Sequence, residues 1–562
     1  MIEENARKSY SGTSDEAPNN MHEDALPLPS NKDDENLHGW LEQAMNLIRE
    51  GDLEQAEGIY RFLIEVGVEN EKVFANLAGL CQMRNAHDES LALLARAVQL
   101  KPASPQAHLL IANAMEARGE YKAAINKIRH ALELDENSAE AHHNMGFLLG
   151  RTGNHTGAVE SYLKAIDLKP EYPDAYNNLG NSLKQLGDME GARSAYRQAI
   201  GLKSNFADAH LNLGNSLMEL GNMEGARSAY SQAIGLKPDF ADAHLNHALL
   251  MLLQGDYLQG WQEYEWRLQR SPNATGMPHA TPSCRRWSGE DLNSSDPVLL
   301  VCEQGLGDTI HMVRYVNTLR QRGHPITLAA QQCLHALISC SGVEADLITA
   351  EDLARFSGGY WLPLFSLPGI LNVTPNNPIV VNPYLQSPPS LVHQWKSLLE
   401  PERSPVVAIN WQGNPEAEKN GMIGRSFSLE LMSPIARGLQ GSLLSLQKGY
   451  GSEQLESCSF RDRFVHCQQV VDSYWDFLDV AAIIANCDLV ITSDTCIAHL
   501  AGAMGHPTWL LLPKVPDWRW GLEKESTFWY PSMRIFRQTD AGDWKGVMSR
   551  VTRALRELGL CT

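Results

Sequence analysis

The chain has 562 residues, enough for two to four domains, and its 43% hydrophobic content supports well-buried cores. A formal net charge of -20 argues against broad nonspecific binding to nucleic acid or to an anionic membrane face, so no nucleic-acid partner is expected. The ten cysteines are scattered without a CxxC pair, which excludes a zinc ribbon or a disulfide framework and fits a reducing cytoplasm.

In chain order, residues 1–36 are polar and acidic, lack the basic-then-apolar order of a secretory signal, and read as a disordered tail. No run of eighteen apolar residues occurs anywhere, so no transmembrane segment is expected. From 37 to 274 the chain repeats itself. Small residues recur 34 positions apart at Ala44, Ala78, Ala112, Gly146, Gly180, Gly214 and Ala248. A second small column runs Ala56, Ala124, Ala158, Ala192 and Ala226, interrupted at Ser90 and Gly260. Pro102, Pro170 and Pro238 share a phase, as do Tyr60, Tyr162, Tyr196, Tyr230 and Tyr264. Each unit reads as two amphipathic helices whose small columns permit close approach. Period and residue types resemble the tetratricopeptide repeat, with about seven units over 37–274. The last unit departs through Gly260, Trp261 and Trp266 and is expected to cap the array by docking onto the next domain.

One polar column also keeps phase: Asn76, Asn144, Asn178, Asn212 and Asn246, with Leu110 interrupting it. An amide offers both a donor and an acceptor, which matches a peptide unit. Protein O-GlcNAc transferases carry a similar asparagine ladder that grips extended substrate, so this resemblance implies a protein or peptide in the repeat groove. The alternative is that the amides cap or bridge neighbouring helices.

After a linker at 275–296 the period changes. Apolar runs at 298–302, 326–330, 406–411, 443–447, 488–492 and 508–512 alternate with helical stretches, which predicts parallel α/β sheets. The polar, proline-rich stretch 386–405 is expected to link two Rossmann-like halves, 297–385 and 406–540. A C-terminal helix within 541–562 is expected to pack back across the domains.

Two stretches carry the chemistry. Glu303-Gln304-Gly305-Leu306-Gly307-Asp308 follows the first apolar run, and Gly305 and Gly307 are expected to let backbone N–H groups approach a charged ligand. Asp308, with His311 three residues on and on the same helical face, suits a general base. The plainer role for Asp308 is to stabilise a helix N-terminus, worth under about 1 kcal/mol. In the second half Ser493-Asp494-Thr495 supplies cap-type residues to a helix starting near Cys496, whose N-terminus suits a sugar diphosphate, with His499 one turn in. The plainer reading there is a cap and a core histidine. Arg425, Lys448 and Arg519 are cations that could offset a leaving diphosphate or be ordinary surface charges. Trp411 could stack on a base or sugar, or be core. No DxD triplet appears, so no metal and no cofactor beyond the donor substrate is expected.

The stretches EQGLGDTIHMVRY (303–315), NWQGNP (410–415), SLQKG (445–449) and ITSDTCIAHLAGAMGHPTWLLLP (491–513) resemble glycosyltransferase family 9, best understood through lipopolysaccharide heptosyltransferases, over roughly 297–540. Cys496 stands where that family often has glycine. The resemblance implies a GT-B fold, with the acceptor on the first half and a nucleotide sugar on the second. It implies Asp308 as base and Asp494, Thr495 and His499 as donor contacts. The expected protein is thus a cytoplasmic, inverting, metal-independent glycosyltransferase carried on an α-solenoid that recruits the acceptor or a partner. Two other classes stay open: an enzyme like the protein O-GlcNAc transferases, and a non-enzymatic adaptor with an inactive transferase domain.

Overall fold

Once per repeat the backbone turns left-handed. Gly51, Asn85, Gly119, Gly153, Gly187, Gly221 and Gly255 all have positive φ, and they stand 34 residues apart. Glycine and asparagine tolerate that conformation, so the column punctuates the helices. The computed structural model describes residues 35–562 apart from 272–281, 294, 357, 381 and 420–423. Nearly all of the tail expected at 1–36, and part of the linker at 275–296, lie outside the described residues. Fourteen helices, from Glu35–Glu50 to Tyr257–Tyr264, follow one another in seven consecutive pairs along the chain. They form a helical solenoid of tetratricopeptide repeats.

The chain forms two units, the first ending at Ser216 and the second spanning Leu217–Thr562. In the first, Asp52, Asn154 and Asp188 cap helices by accepting from the N–H groups of Gln55, Gly157 and Gly191. The small columns admit rings. A Cβ on Gly146 would lie 2.8 Å from the Tyr162 ring, and one on Gly180 would lie 2.5 Å from that of Tyr196. Ala56, Ser90, Ala124, Ala158 and Ala192 are fully buried.

The second unit takes in the final repeat helices Met223–Leu236, Ala241–Gln254 and Tyr257–Tyr264 together with two sheets. The unit boundary therefore falls inside the repeats. One sheet holds β1 (Arg285–Arg286), β2 (Val298–Val301), β3 (Ile326–Ala329), β4 (Asp346–Ile348) and β5 (Tyr360–Pro363), in the order β1-β5-β2-β3-β4. The other holds β6 (Val406–Asn410), β7 (Ser442–Ser445), β8 (Leu489–Ser493), β9 (Thr508–Leu512) and β10 (Met533–Arg537), in the order β10-β9-β8-β6-β7. Every neighbouring pair is parallel. Strands β2, β6, β7, β8 and β9 are buried throughout, as parallel strands covered on both faces must be.

All six expected strands form. Four others were not expected: β1 has two residues, β4 begins on an exposed aspartate, β5 ends in proline, and β10 carries Arg534 and Arg537. Both expected linkers hold regular structure. β1 lies within 275–296, and the helix Pro389–Leu399 lies within 386–405, where the Trp395 indole donates to Asp479 Oδ1 at 2.6 Å. The terminal helix Trp544–Glu557 does not cross between halves. Its apolar face packs among Val407, Ile409, Ile435, Leu443 and Leu489, all of the second half.

The last repeat docks as its sequence suggested. The Trp261 indole donates to the Val373 carbonyl at 2.9 Å and meets Trp518 edge-on at 5.2 Å. Trp266 instead stacks on His244 of its own array at 4.0 Å.

Candidate functional site

In each sheet the strand order reverses beside its first strands, at β2/β5 and at β6/β8. Crevices at the carboxyl ends of strands at such reversals are where open parallel sheets bind ligands. Asp308 stands in the first turn of the helix that follows β2, the loops leaving β6 and β8 carry Gly413 and Asp494, and the segment after β9 carries Asp517 and, on a 3-10 turn, Arg519. These residues meet.

Arg519 is the hub. It is buried, pairs with Asp308 through Nη2, donates from Nη1 to Asp517 Oδ1 at 2.7 Å, and donates from Nε to His311 Nδ1 at 3.2 Å. Asp308 also accepts from the Gly305 N–H at 2.8 Å, closing the first turn of the helix Leu306–Met312. Its base-like position and its helix-start role coincide. Burial raises the Asp308 carboxyl above its ordinary range, with Arg519 opposing. Burial also drives His311 and His499 well below the usual imidazole value, helped by the arginine cations nearby, which favours the neutral rings. They stack at 5.3 Å; His499 Nδ1 lies 2.9 Å from the Tyr530 hydroxyl, while His311 Nε2 is buried with no partner among the described residues.

Asp494 is pushed up to about 6 by burial and by its neighbour Asp517. Arg425 Nη1 donates to the Asp494 carbonyl at 3.3 Å. A Cβ on Gly413 would lie 2.6 Å from Arg425 Nε, so the glycine of NWQGNP makes room for this guanidinium. Thr495 is the N-cap of the helix Cys496–Ala503, yet its side chain makes no cap bond. Its hydroxyl goes to Asn410 Oδ1 at 2.9 Å instead. Asn410 donates to Gln447 Oε1, which also accepts from the Trp411 and Gln412 N–H groups. The helix N-terminus is thus left without a side-chain cap and stands beside a cation, an arrangement that suits an anion.

Several expectations need correction. Gly307 does not open space for a ligand: a Cβ there would lie 2.8 Å from His499 Cδ2 and 3.2 Å from the Cys496 Cα, so it admits the helix of the other half. The left-handed residue of that turn is Gln304 (φ 58). Lys448 is not brought to the cluster; it donates to the Val471 carbonyl at 2.6 Å, lies 3.8 Å from Asp472, and is lowered by burial. Trp411 is core. Asn410, Gln447 and Gly413 were missed as individuals, although each stands inside a quoted motif.

In the groove column, Asn144 donates to Asn113 at 3.2 Å, Asn178 bonds His143 at 3.1 Å, and Asn212 donates to Asn177 at 3.0 Å. These are bridges between successive repeats. Asn76 donates to the Tyr60 hydroxyl at 3.1 Å, and Asn246 also has a partner. No helix among the described residues is long and apolar enough to cross a membrane.

The fold is therefore a tetratricopeptide solenoid followed by a region of parallel sheets. A family model described as "TPR repeat" matches residues 116–153, 151–187, 180–221 and 214–255. A curated relative, Protein FlbA of Caulobacter vibrioides, is 28% identical over 332 residues, covering 55% of this chain and 54% of that protein. The chain thus spans about half the length of the curated relative it matches. Solved structures that it resembles include the Cut9–Hcn1 hetero-tetramer of APC/C (20% identity, TM-score 0.38, covering 41% of this chain and 46% of that one). Another is MamA (26%, TM-score 0.27, covering 28% and 93%). The repeats suggest a protein-binding or adaptor role.

Proposed function

We propose that the second unit is a GT-B glycosyltransferase that moves a sugar from a nucleotide-diphosphate donor to a hydroxyl acceptor recruited through the repeats. The observation that carries this reading is the uncapped N-terminus of the Cys496–Ala503 helix with Arg425 beside it, facing Asp308 from the other half. On this reading the diphosphate takes the helix N-terminus and Arg425, and Asp308, raised by burial, accepts the acceptor proton once substrate displaces its pairing with Arg519. Arg519, released, faces the developing negative charge.

A second reading, a non-enzymatic adaptor, draws support from the same pairing, since both Asp308 oxygens are engaged. A thermal-shift screen against nucleotides and nucleotide sugars separates the two. Stabilisation by one nucleotide family, lost in Arg425→Met and His499→Ala, favours the transferase and directs turnover assays to Asp308→Ala. No stabilisation by any donor favours the adaptor.

A further inference from the structure

The last repeat reaches the candidate site through buried polar bonds. Arg267, on the 3-10 turn Glu265–Gln269, makes five hydrogen bonds. Two go to Glu303, at 2.9 and 3.2 Å, and the others to the Tyr264 carbonyl, Glu265 and Ser366. The side chains of Arg267 and Glu303 are 2% and 0% exposed, so neither charge is served by water. Glu303 Oε2 also accepts from the Phe365 N–H at 2.8 Å, tying together the loops that leave β2 and β5. The next residue, Gln304, is held in the left-handed region while its amide donates to the Tyr264 hydroxyl at 2.9 Å. Gly305 follows, and its N–H holds Asp308.

A second contact reaches the other member of the pair. Trp261 meets Trp518, and the Arg519 guanidinium lies 4.5 Å from the Trp518 ring centroid and 5.3 Å from that of Phe365. The final repeat therefore grips the residues beside Asp308 and the residue beside Arg519.

We propose that Arg267, Tyr264 and Trp261 of the final repeat are positioning residues that set the Asp308–Arg519 pair, so that the last repeat is part of the site and not only a tether. Position is the point of the guanidinium. A planar fork fixes the Glu303 carboxylate in two directions, which a lysine ammonium does not. This inference deepens the reading of Asp308 as base and rests on it for its functional meaning, but the geometry is testable without turnover.

The test is hydrogen exchange by mass spectrometry on the full chain, comparing wild type with Arg267→Lys, Trp261→Phe and the charge-free pair Arg267→Met/Glu303→Met. The pair removes both ions, so no unpartnered charge is left inside. Positioning predicts exchange faster by roughly tenfold at 303–309 and 517–520 in the charge-free pair, with the 544–557 helix unchanged. Arg267→Lys should fall between wild type and the charge-free pair, and Trp261→Phe should affect 517–520 without affecting 303–309. Unchanged exchange at 303–309 in a folded charge-free pair, or acceleration spread evenly over the second unit, overturns the proposal. UDP-glucose hydrolysis is the parallel arm, where a positioning role lowers kcat and leaves KM near wild type. A wild type that hydrolyses no nucleotide sugar counts against the transferase reading, while the exchange result still judges the positioning.

Discussion

Gly180 in the repeats and Gly307 at the site both lack a Cβ because another group occupies its place. Gly180 faces the ring of Tyr196, sixteen residues away, within one helix pair, and the same contact recurs at Gly146 with Tyr162. Gly307 faces His499 and the Cys496 backbone, across the two halves of the second unit. A local contact that recurs is shared among repeats, whereas a single long-range contact decides how two elements meet. Charge divides the regions in the same way. The first unit keeps its ion pairs exposed or half-exposed, such as Arg61–Glu89 and Arg118–Asp88, where each contributes little. The second buries Arg267, Glu303, Arg519 and Asp494.

The sharpest way to break this contrast is Arg267→Met, which leaves Glu303 buried without its counter-ion and should cost about 3–5 kcal/mol. Adding Glu303→Met should recover most of that loss. Tryptophan fluorescence during urea unfolding reads the second unit, because of thirteen tryptophans only Trp40 precedes Leu217. Equal stability of the single and double variants would show that the buried pair is not the important feature.

Next in size is Asp494→Asn. The folded carboxyl is raised to about 6 by burial and Asp517, above its ordinary value. The fold thus favours the protonated form more than the unfolded chain does, and that contribution is present at low pH and lost as pH rises through about 6. Asparagine imitates that form, so the variant should gain at most about 3 kcal/mol above pH 6 and nothing below about pH 4. A variant less stable than wild type at pH 7.5 in thermal melts would refute this. The gain should come with loss of donor binding, the usual trade at a strained site.

The two glycines then give the direct comparison. Gly180→Ala and Gly307→Ala should each cost about 1–3 kcal/mol by overpacking. The first should alter helical circular dichroism while leaving tryptophan fluorescence in place, and the second should shift the fluorescence transition. Tyr196→Leu should relieve Gly180→Ala, and no repeat substitution should relieve Gly307→Ala. Smallest is Asn178→Ala, which removes the bond to His143 and should cost about 1 kcal/mol. If it leaves stability untouched but weakens capture of an extended peptide, the amide column is a ligand ladder and not a brace.

Much of the fold was legible because its causes are local. The repeat phase of small residues, prolines and tyrosines and the apolar strands all act within one helix pair or one strand. What escaped was short or polar, as with β1, and with β10, whose arginines interrupt the apolar pattern. The sequence pointed to Asp308, Asp494, Thr495, His499 and Arg425, and the structure brings all of them to one cluster, whereas Lys448 lies with Val471 and Asp472. Gly305 and Gly307 read as a ligand-binding turn because glycine has the same appearance whether it admits a phosphate or a helix.

By itself, then, the sequence determined the repeat period, the helix ends, the buried parallel strands and the residues worth suspecting, since each follows from side chains a few positions apart. Only the tertiary structure decided that Arg519 is the hub, that Gly307 faces the opposite half, and that the last repeat holds the turn carrying Asp308. Those facts join residues 36 to 211 positions apart, and burial, which raises Asp494 and lowers the two histidines, exists only once they have met.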